Sequence, residues 1–420
     1  LTDIPTDVHP RSAGRAVALA DATGRWSAVA LGAAIPISTA LGNALTAVFA
    51  LAWLLGGQYG AKGRGIAATP VAVAALVLFG LLVLGVSWAD VHAAESWGVV
   101  SKYRDLALLA LFLWVFREPA WRRVGLIGLG LGLALTLAVS YLKFAGAVPV
   151  KWFADATPDN PVAFRLQVTH GFLMALAAFG FGLLAWHARD RRWKIAGVVL
   201  AGLATVNVLL MVQGRTGYLV LAVLVVYLFA IRFRWKGLLA AAALVAVTGG
   251  AVYAVSDTFR DRITVTLAQA RAFDPAKPAA AESSIGLRLE FYANGIAIVR
   301  EHPLAGVGTG GFARAYAERI AGSGRIETRN PHNEYLLIAA QLGIPGLAAL
   351  LALFAIHWVS AARLATPAET HLARGLVLAL AAGCLVNALL LDHTEGLLYA
   401  WLTGLLFGGY RPAAGRGSVA

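Results

Sequence analysis

Val124-Gly125-Leu126-Ile127-Gly128-Leu129-Gly130-Leu131-Gly132-Leu133-Ala134-Leu135-Thr136-Leu137-Ala138-Val139-Ser140-Tyr141-Leu142 carries no charge, and it is bracketed by Arg122, Arg123 and Lys143. A helix needs roughly 20 apolar residues to cross the ~30 Å hydrocarbon core of a bilayer. The stretch therefore reads as a transmembrane helix with cationic ends. The same pattern recurs along the 420 residues, near 26–42, 43–60, 66–86, 103–116, 124–142, 168–187, 194–212, 216–231, 237–256, 334–360, 372–391 and 397–410. The expected fold is thus an all-α polytopic membrane protein with about twelve transmembrane helices. Composition agrees, with 59% hydrophobic and 14% charged residues. A soluble domain is about 25% charged, so a soluble enzyme, a disordered chain and a fibre are excluded. Pro36, Pro70 and Pro345 fall inside these runs and predict kinks.

The formal charge of +13 would suggest nucleic acid on a soluble protein. Here its distribution argues for topology. One alternating set of junctions holds Arg11, Arg15 and Arg25, then Lys62/Arg64, Arg117/Arg122/Arg123, Arg189/Arg191/Arg192/Lys194, Arg232/Arg234/Lys236, Arg363/Arg374 and Arg411/Arg416. The other set of short loops holds Lys102, Arg104, Lys143, Lys151, Arg165 and Arg215. The positive-inside rule places the first set in the cytoplasm. Both termini are then cytoplasmic, the whole charge excess orients the chain, and no nucleic-acid partner is expected. The first apolar run follows arginines without a small-residue cleavage site and reads as a start-transfer anchor. The chain begins at Leu1, so its first residues carry no weight. Cys384, the single cysteine, reads as a small buried hydrophobe.

Three sections follow: spans one to nine over 1–256, an outer loop over 257–333, and spans ten to twelve with a cytoplasmic tail over 334–420. A loop of that length usually carries function or its own fold. Ile285–Arg300 has apolar residues at helical spacing and reads as a helix lying on the membrane surface. Gly310–Ile320 reads as a second short helix. Between them Gly306-x-Gly308-x-x-Gly311 mimics a dinucleotide fingerprint, but no βαβ unit surrounds it. Glycines at a tight turn with close backbone approach explain it better.

Candidate chemistry gathers on the outer side. Arg215 sits in Gln213-Gly214-Arg215-Thr216-Gly217, either as an interfacial snorkelling arginine or as a bidentate phosphate ligand. Arg288 and Tyr292 lie on the surface helix, where Arg288 reads either as a substrate ligand or as a polar-face residue paired with Glu290 or Glu282. His332 precedes the tenth span in Asn330-Pro331-His332-Asn333-Glu334. It is either an interfacial histidine beside an Asn330 or Asn333 cap, or a general base at the mouth of a cavity. Lys102, Arg104 and Asp105, then Lys151, Asp155 and Asp159, then Asp392, His393 and Glu395 are weaker candidates for sugar or phosphate binding. Asp392-His393-x-Glu395 lacks helical ligand spacing, so no metal site is expected.

These blocks resemble the bacterial O-antigen ligase and polymerase family, closest to the lipopolysaccharide O-antigen ligases. The resemblance rests on the spans, the single large outer loop, Arg288-x-x-x-Tyr292 with His302-Pro303-Leu304-x-Gly306-x-Gly308, and Pro331-His332-Asn333-Glu334-Tyr335-Leu336 with Gln341-Leu342-Gly343-Ile344-Pro345-Gly346. It implies a GT-C-like architecture in a Gram-negative inner membrane. It also implies a metal-independent, inverting glycosyl transfer on the periplasmic face, with no cofactor. The donor would be a glycan on undecaprenyl pyrophosphate and the acceptor a sugar hydroxyl of lipid A–core. The resemblance maps catalytic roles onto His332, Arg215 and Arg288. Substrate contacts are expected from Arg215, Arg288, Tyr292, Asn333, Lys102, Arg104 and His393. The expected partners are these two lipid-linked substrates and membrane lipid, with the protein a monomer.

Other readings stay open. An O-antigen polymerase or a protein oligosaccharyltransferase differs in its acceptor. A secondary transporter or flippase fits an even span count, but ionisable residues are missing from mid-span, where transporters tend to place them.

Overall fold

The computed structural model describes residues 14–151, 156–255, 257–280 and 283–412. Arg11, Trp152, Asp155, Glu282 and Arg416 lie outside these residues, as do both extreme termini. Among the described residues the protein is helical throughout and has no strand. The helices are α1 (Arg15–Ala34), α2 (Thr39–Leu55), α3 (Tyr59–Ala67), α4 (Pro70–Leu84), α5 (Ala93–Lys102), α6 (Asp105–Val115), α7 (Pro119–Phe144) and α8 (Gln167–His187). They continue with α9 (Arg191–Val206), α10 (Arg215–Val255), α11 (Asp257–Arg271), α12 (Ser284–Glu301), α13 (Phe312–Ile320), α14 (Glu334–Ser360), α15 (Pro367–Gly383) and α16 (His393–Phe407).

Among the described residues, six helical segments are long and apolar enough to cross a membrane, or seven if the bent pair α2 and α3 counts as one span. Twelve expected spans therefore do not appear as twelve helices of crossing length. Length is the reason for most of them, while α1, 20 residues long, carries Asp21 and Arg25 within it. α6 has 11 residues, α16 has 15, and α2 and α15 have 17 each. At 1.5 Å per residue, 15 residues reach only about 22 Å. Conversely, α10 runs 41 residues, about 60 Å, and is kinked where Arg234 leaves helical geometry at φ 58°. That kink lies within the Arg232/Arg234/Lys236 cluster expected to separate two spans. Exposed Leu51, Leu55, Leu131, Val198 and Val247 give α2, α7, α9 and α10 an apolar outer surface, as lipid contact requires.

The centre is α16, in which every residue from Thr394 to Phe407 is buried. A helix apolar all round belongs inside. It packs on α6, and Trp401 Nε1 donates to the Ala28 carbonyl of α1 at 2.6 Å.

Two prolines behave differently from expectation. Pro36 lies in the turn joining α1 and α2, and Pro70 opens α4, where its missing N–H costs nothing. Pro345 is inside α14, which breaks at Gly343 (φ 67°). The turn 303–308 repairs that break. Val307 N–H donates to Ala340 O at 2.9 Å, Gly308 N–H to Gln341 O at 3.0 Å, and Ile344 N–H to Pro303 O at 2.8 Å. Proline at 345 frees the Gln341 carbonyl, and Gly308 takes it. A Cβ on Gly306 (φ 64°) would fall 2.5 Å from the Gln341 oxygen, so only glycine fits there. The glycine pattern is thus a docking turn.

Contacts gather the helix junctions into two polar rims. On one rim Arg25 meets Glu118 at 3.6 Å, Arg122 meets Glu369 at 2.9 Å, and Arg363 donates to the Tyr410 hydroxyl at 3.2 Å. On the other, Arg314 meets Asp90 at 3.0 Å, Trp88 Nε1 donates to Ala305 O at 3.0 Å, and Asn387 Nδ2 donates to Thr216 Oγ1 at 2.7 Å. The second rim carries the described part of the loop 257–333 together with Arg215, Arg288, Tyr292, His332 and Asn333. Its α12 and α13 match the two helices read in the sequence. α3, α5 and α11 are additions, short helices within stretches read as junctions.

Candidate active site

Three segments distant in sequence converge on the turn between α15 and α16. This turn, 384–391, was read as the end of the eleventh span, but α15 stops at Gly383. The exposed carbonyl of Leu385 accepts from Asn333 Nδ2 at 3.0 Å and from Tyr292 Oη at 3.1 Å. Asn387, buried two residues on, reaches Thr216, the neighbour of Arg215. The histidine loop, the arginine helix α12 and the first turn of α10 are therefore tied to the same turn, 384–391.

His332 is held in an unusual conformation. Its φ of 55° lies in the left-handed region, which is uncommon for a residue with a side chain and costs of order 1–3 kcal/mol. Its N–H donates to Asn330 Oδ1 at 2.8 Å, and its carbonyl accepts from Tyr292 Oη at 3.1 Å. The ring stacks on Phe291, with centroids 6.3 Å apart and planes at 29°. The backbone is thus pinned on both sides while the half-buried imidazole stays available. Burial first, and then the nearby Arg288 guanidinium, hold the imidazole below the usual histidine range. Burial likewise lowers Arg288 and raises the Tyr292 hydroxyl. A neutral imidazole beside a guanidinium can take a proton and face an anion at once.

Arg215 is the first residue of α10. The glycines around it serve helix packing and not ligand approach. A Cβ on Gly217 would lie 3.0 Å from Gly171 Cα, and one on Gly214 would lie 2.9 Å from Gln167 O. Their lack of side chains lets α10 cross α8 closely and seats Arg215 at that crossing.

Tyr292 and Asn333 are used to build the site. Asn333 caps α14 by accepting from Leu336 N–H at 2.9 Å, and its amide nitrogen is spent on Leu385. The Tyr292 hydroxyl serves two carbonyls. Both are positioning residues. Lys102 and Arg104 are exposed on the same rim, where Arg104 Nη2 donates to Asn43 Oδ1 at 2.7 Å. His393 opens α16 and was expected in a loop. Arg104 and Arg165 both act on it electrostatically. Among the described residues, none of these three makes a hydrogen bond to His332. Among the described residues no group of three or more His, Cys, Asp or Glu side chains has the geometry to hold a metal ion.

Glu334, which the sequence motif contained without a role, holds the two parts of the rim together. Its carboxyl is buried. Oε1 accepts from Tyr103 Oη at 2.6 Å, Oε2 accepts from Leu390 N–H at 2.8 Å, and its own N–H donates to Cys384 O at 2.9 Å. One signal for the hub existed in the sequence: Asn387 is a lone amide within an apolar run.

Residues 203–351 match the model of a family described as O-antigen ligase. Over that segment the chain is similar to this family. The match covers Arg215, Arg288, Tyr292, His332 and Asn333. The matched segment contains the converging histidine and arginines, while the hub turn and the Lys102, Arg104 and His393 group lie outside it. No curated protein matches the chain.

Proposed function

We propose that this protein transfers a glycan from undecaprenyl pyrophosphate to a sugar hydroxyl of lipid A–core, at the periplasmic face of a Gram-negative inner membrane. The observation that carries the reading is His332, backbone-locked beside Arg288 and held below the usual histidine range by burial, on the rim that also bears Arg215. In this reading the chain crosses the membrane twelve times with both termini cytoplasmic, and its GT-C-like rim with the loop 257–333 faces the periplasm. The sorting of junction contacts into two rims supports that orientation.

The chemistry follows from the groups present. The acceptor oxygen attacks the anomeric carbon, the bond from that carbon to the pyrophosphate oxygen breaks, and configuration inverts. The acceptor's proton passes to His332 in concert with attack, because a sugar hydroxyl is far less acidic than an imidazolium. The bonding pair leaves on undecaprenyl pyrophosphate, whose charge Arg215 and Arg288 hold by bidentate hydrogen bonds. No nucleotide or metal is needed in this scheme. Lys102, Arg104 and His393 contact the saccharides at the edge of the rim, and the protein acts as a monomer.

Reconstitution with a lipid-linked donor tests the reading by acceptor swapping. Transfer to lipid A–core, resistant to EDTA, is expected. Transfer only to a second lipid-linked repeat would make the protein a polymerase, and transfer only to a peptide an oligosaccharyltransferase. Substrate counterflow in proteoliposomes without transfer would make it a transporter.

Two narrower outcomes are expected. Arg215→Lys should lose at least tenfold in kcat/KM, since an ammonium lacks the planar fork; full activity would indicate simple charge screening. The acid limb of kcat/KM should lie below the ~6.5 of free histidine, because the base is active while neutral. Arg288→Gln removes a positive neighbour, so its residual activity should show that limb moved to higher pH. A limb that stays put would sever the electrostatic link between the two residues.

A further inference from the structure

The loop 257–333 holds a second polar site, on the far side of α12 from His332. Tyr292 turns toward His332. Asn294, Ile298 and Glu301 turn away, and with His302, Ala315, Glu318, Arg319 and Arg325 they line a cleft of about 500 Å³. That volume is within the usual range for small-molecule sites. The wall between the sites is thin: Phe291 stacks on His332 on one side and meets the edge of Tyr316 on the other, at 5.8 Å.

The charges in and around the cleft are paired. Arg319 bonds Glu301 at 2.5 Å, Arg314 bonds Glu318 at 2.7 Å, and Arg325 lies 3.4 Å from the buried carboxylate of Glu290. A phosphate entering the cleft meets two carboxylates, and a bare cation meets two guanidiniums. Neither is well matched. A ligand that offers donors and acceptors together, on a ring with an apolar C–H face, is matched by the carboxylates, guanidiniums and amide that surround Ile298 and Ala315.

We propose that this cleft is a saccharide subsite, which binds an uncharged, hydroxyl-rich sugar ring of a substrate glycan away from the reacting carbon. This deepens the glycosyl-transfer reading and rests on it for the source of the glycan. Donor glycan and acceptor core share the chemistry, and two probes separate them. One is the free glycan released by mild acid from the organism's lipid-linked precursor; the other is the free core oligosaccharide from its lipopolysaccharide.

Saturation-transfer NMR on the full chain in nanodiscs provides the test. At least one probe should bind to wild type and equally to His332→Ala. Glu318→Gln combined with Asn294→Ala should weaken that binding fivefold or more. Ala315→Phe, which fills the cleft without removing a polar group, should do the same and covers the case of a poorly folded double variant. The probe that responds identifies the source. Binding of neither probe to wild type, or binding unchanged in the folded cleft variants, overturns the subsite. Free glycans need no transfer to bind, so the two readings fail separately. Cleft binding without transfer to any acceptor sinks the reaction assignment, whereas transfer without cleft binding sinks the subsite.

Discussion

His332→Ala is expected to lower glycosyl transfer by at least 100-fold while leaving the protein folded. A positioned general base contributes typically 10²- to 10⁴-fold, and the acceptor hydroxyl has no other imidazole within the pinned loop. The fold should survive, because the interactions that hold residue 332 are made by its backbone: the N–H to Asn330, the carbonyl from Tyr292. The side chain contributes its stacking on Phe291. The left-handed φ of 55° strains alanine as well as histidine, so His332→Gly is the control that relaxes the backbone and still removes the base. Both variants should be inactive in a reconstituted assay with normal thermal stability. Near wild-type transfer in either one would remove His332 from the chemistry.

Glu334→Ala is expected to have the largest effect on stability. The substitution strands the Tyr103 hydroxyl and the Leu390 N–H, both buried donors in the structure. Each orphaned buried donor costs about 1–3 kcal/mol, so a loss of about 3 kcal/mol is reasonable for the pair. The damage should also reach the site, because Leu390 belongs to the turn whose Leu385 carbonyl anchors Tyr292 and Asn333. Melting several degrees lower and a fall in kcat are expected together. Glu334→Gln keeps an acceptor oxygen and should recover much of the loss. An alanine variant with unchanged melting and unchanged activity would show that the carboxyl does not organise the rim.

Much of the fold was legible because its determinants are local. Apolar runs flanked by arginines and lysines mark the helices and their junctions, and turn glycines mark the segment 301–312. The α12 and α13 periodicities are visible in the loop. Helix ends were less legible. Pro70 inside an apolar run looks like a kink, yet the run begins its helix there. Spans of 11 to 17 residues cannot be told from full crossings when neighbouring apolar turns extend the pattern.

The candidate site divides the same way. His332 and Arg215 stand out in the sequence because they sit in glycine- or proline-bearing turns beside apolar runs, and Arg288 because it is a cation on the amphipathic helix of the loop. Tyr292 and Asn333 were visible as well, but their positioning role appears only once their bonds to Leu385 are known. The residues that join these pieces carry little local signal: a leucine carbonyl, Asn387, and a glutamate whose partner Tyr103 is 231 positions away.

The sequence by itself determined that the chain is a helical, membrane-compatible protein with cationic junctions on one side and a large loop on the other. Hydrophobic length and flanking charge act within a few turns of the chain, so they can be read in order. Only the tertiary structure decided which polar groups meet. Burying a carboxyl or an amide requires partners that satisfy it, and here those partners come from helices far apart in sequence, brought together at the turn between α15 and α16.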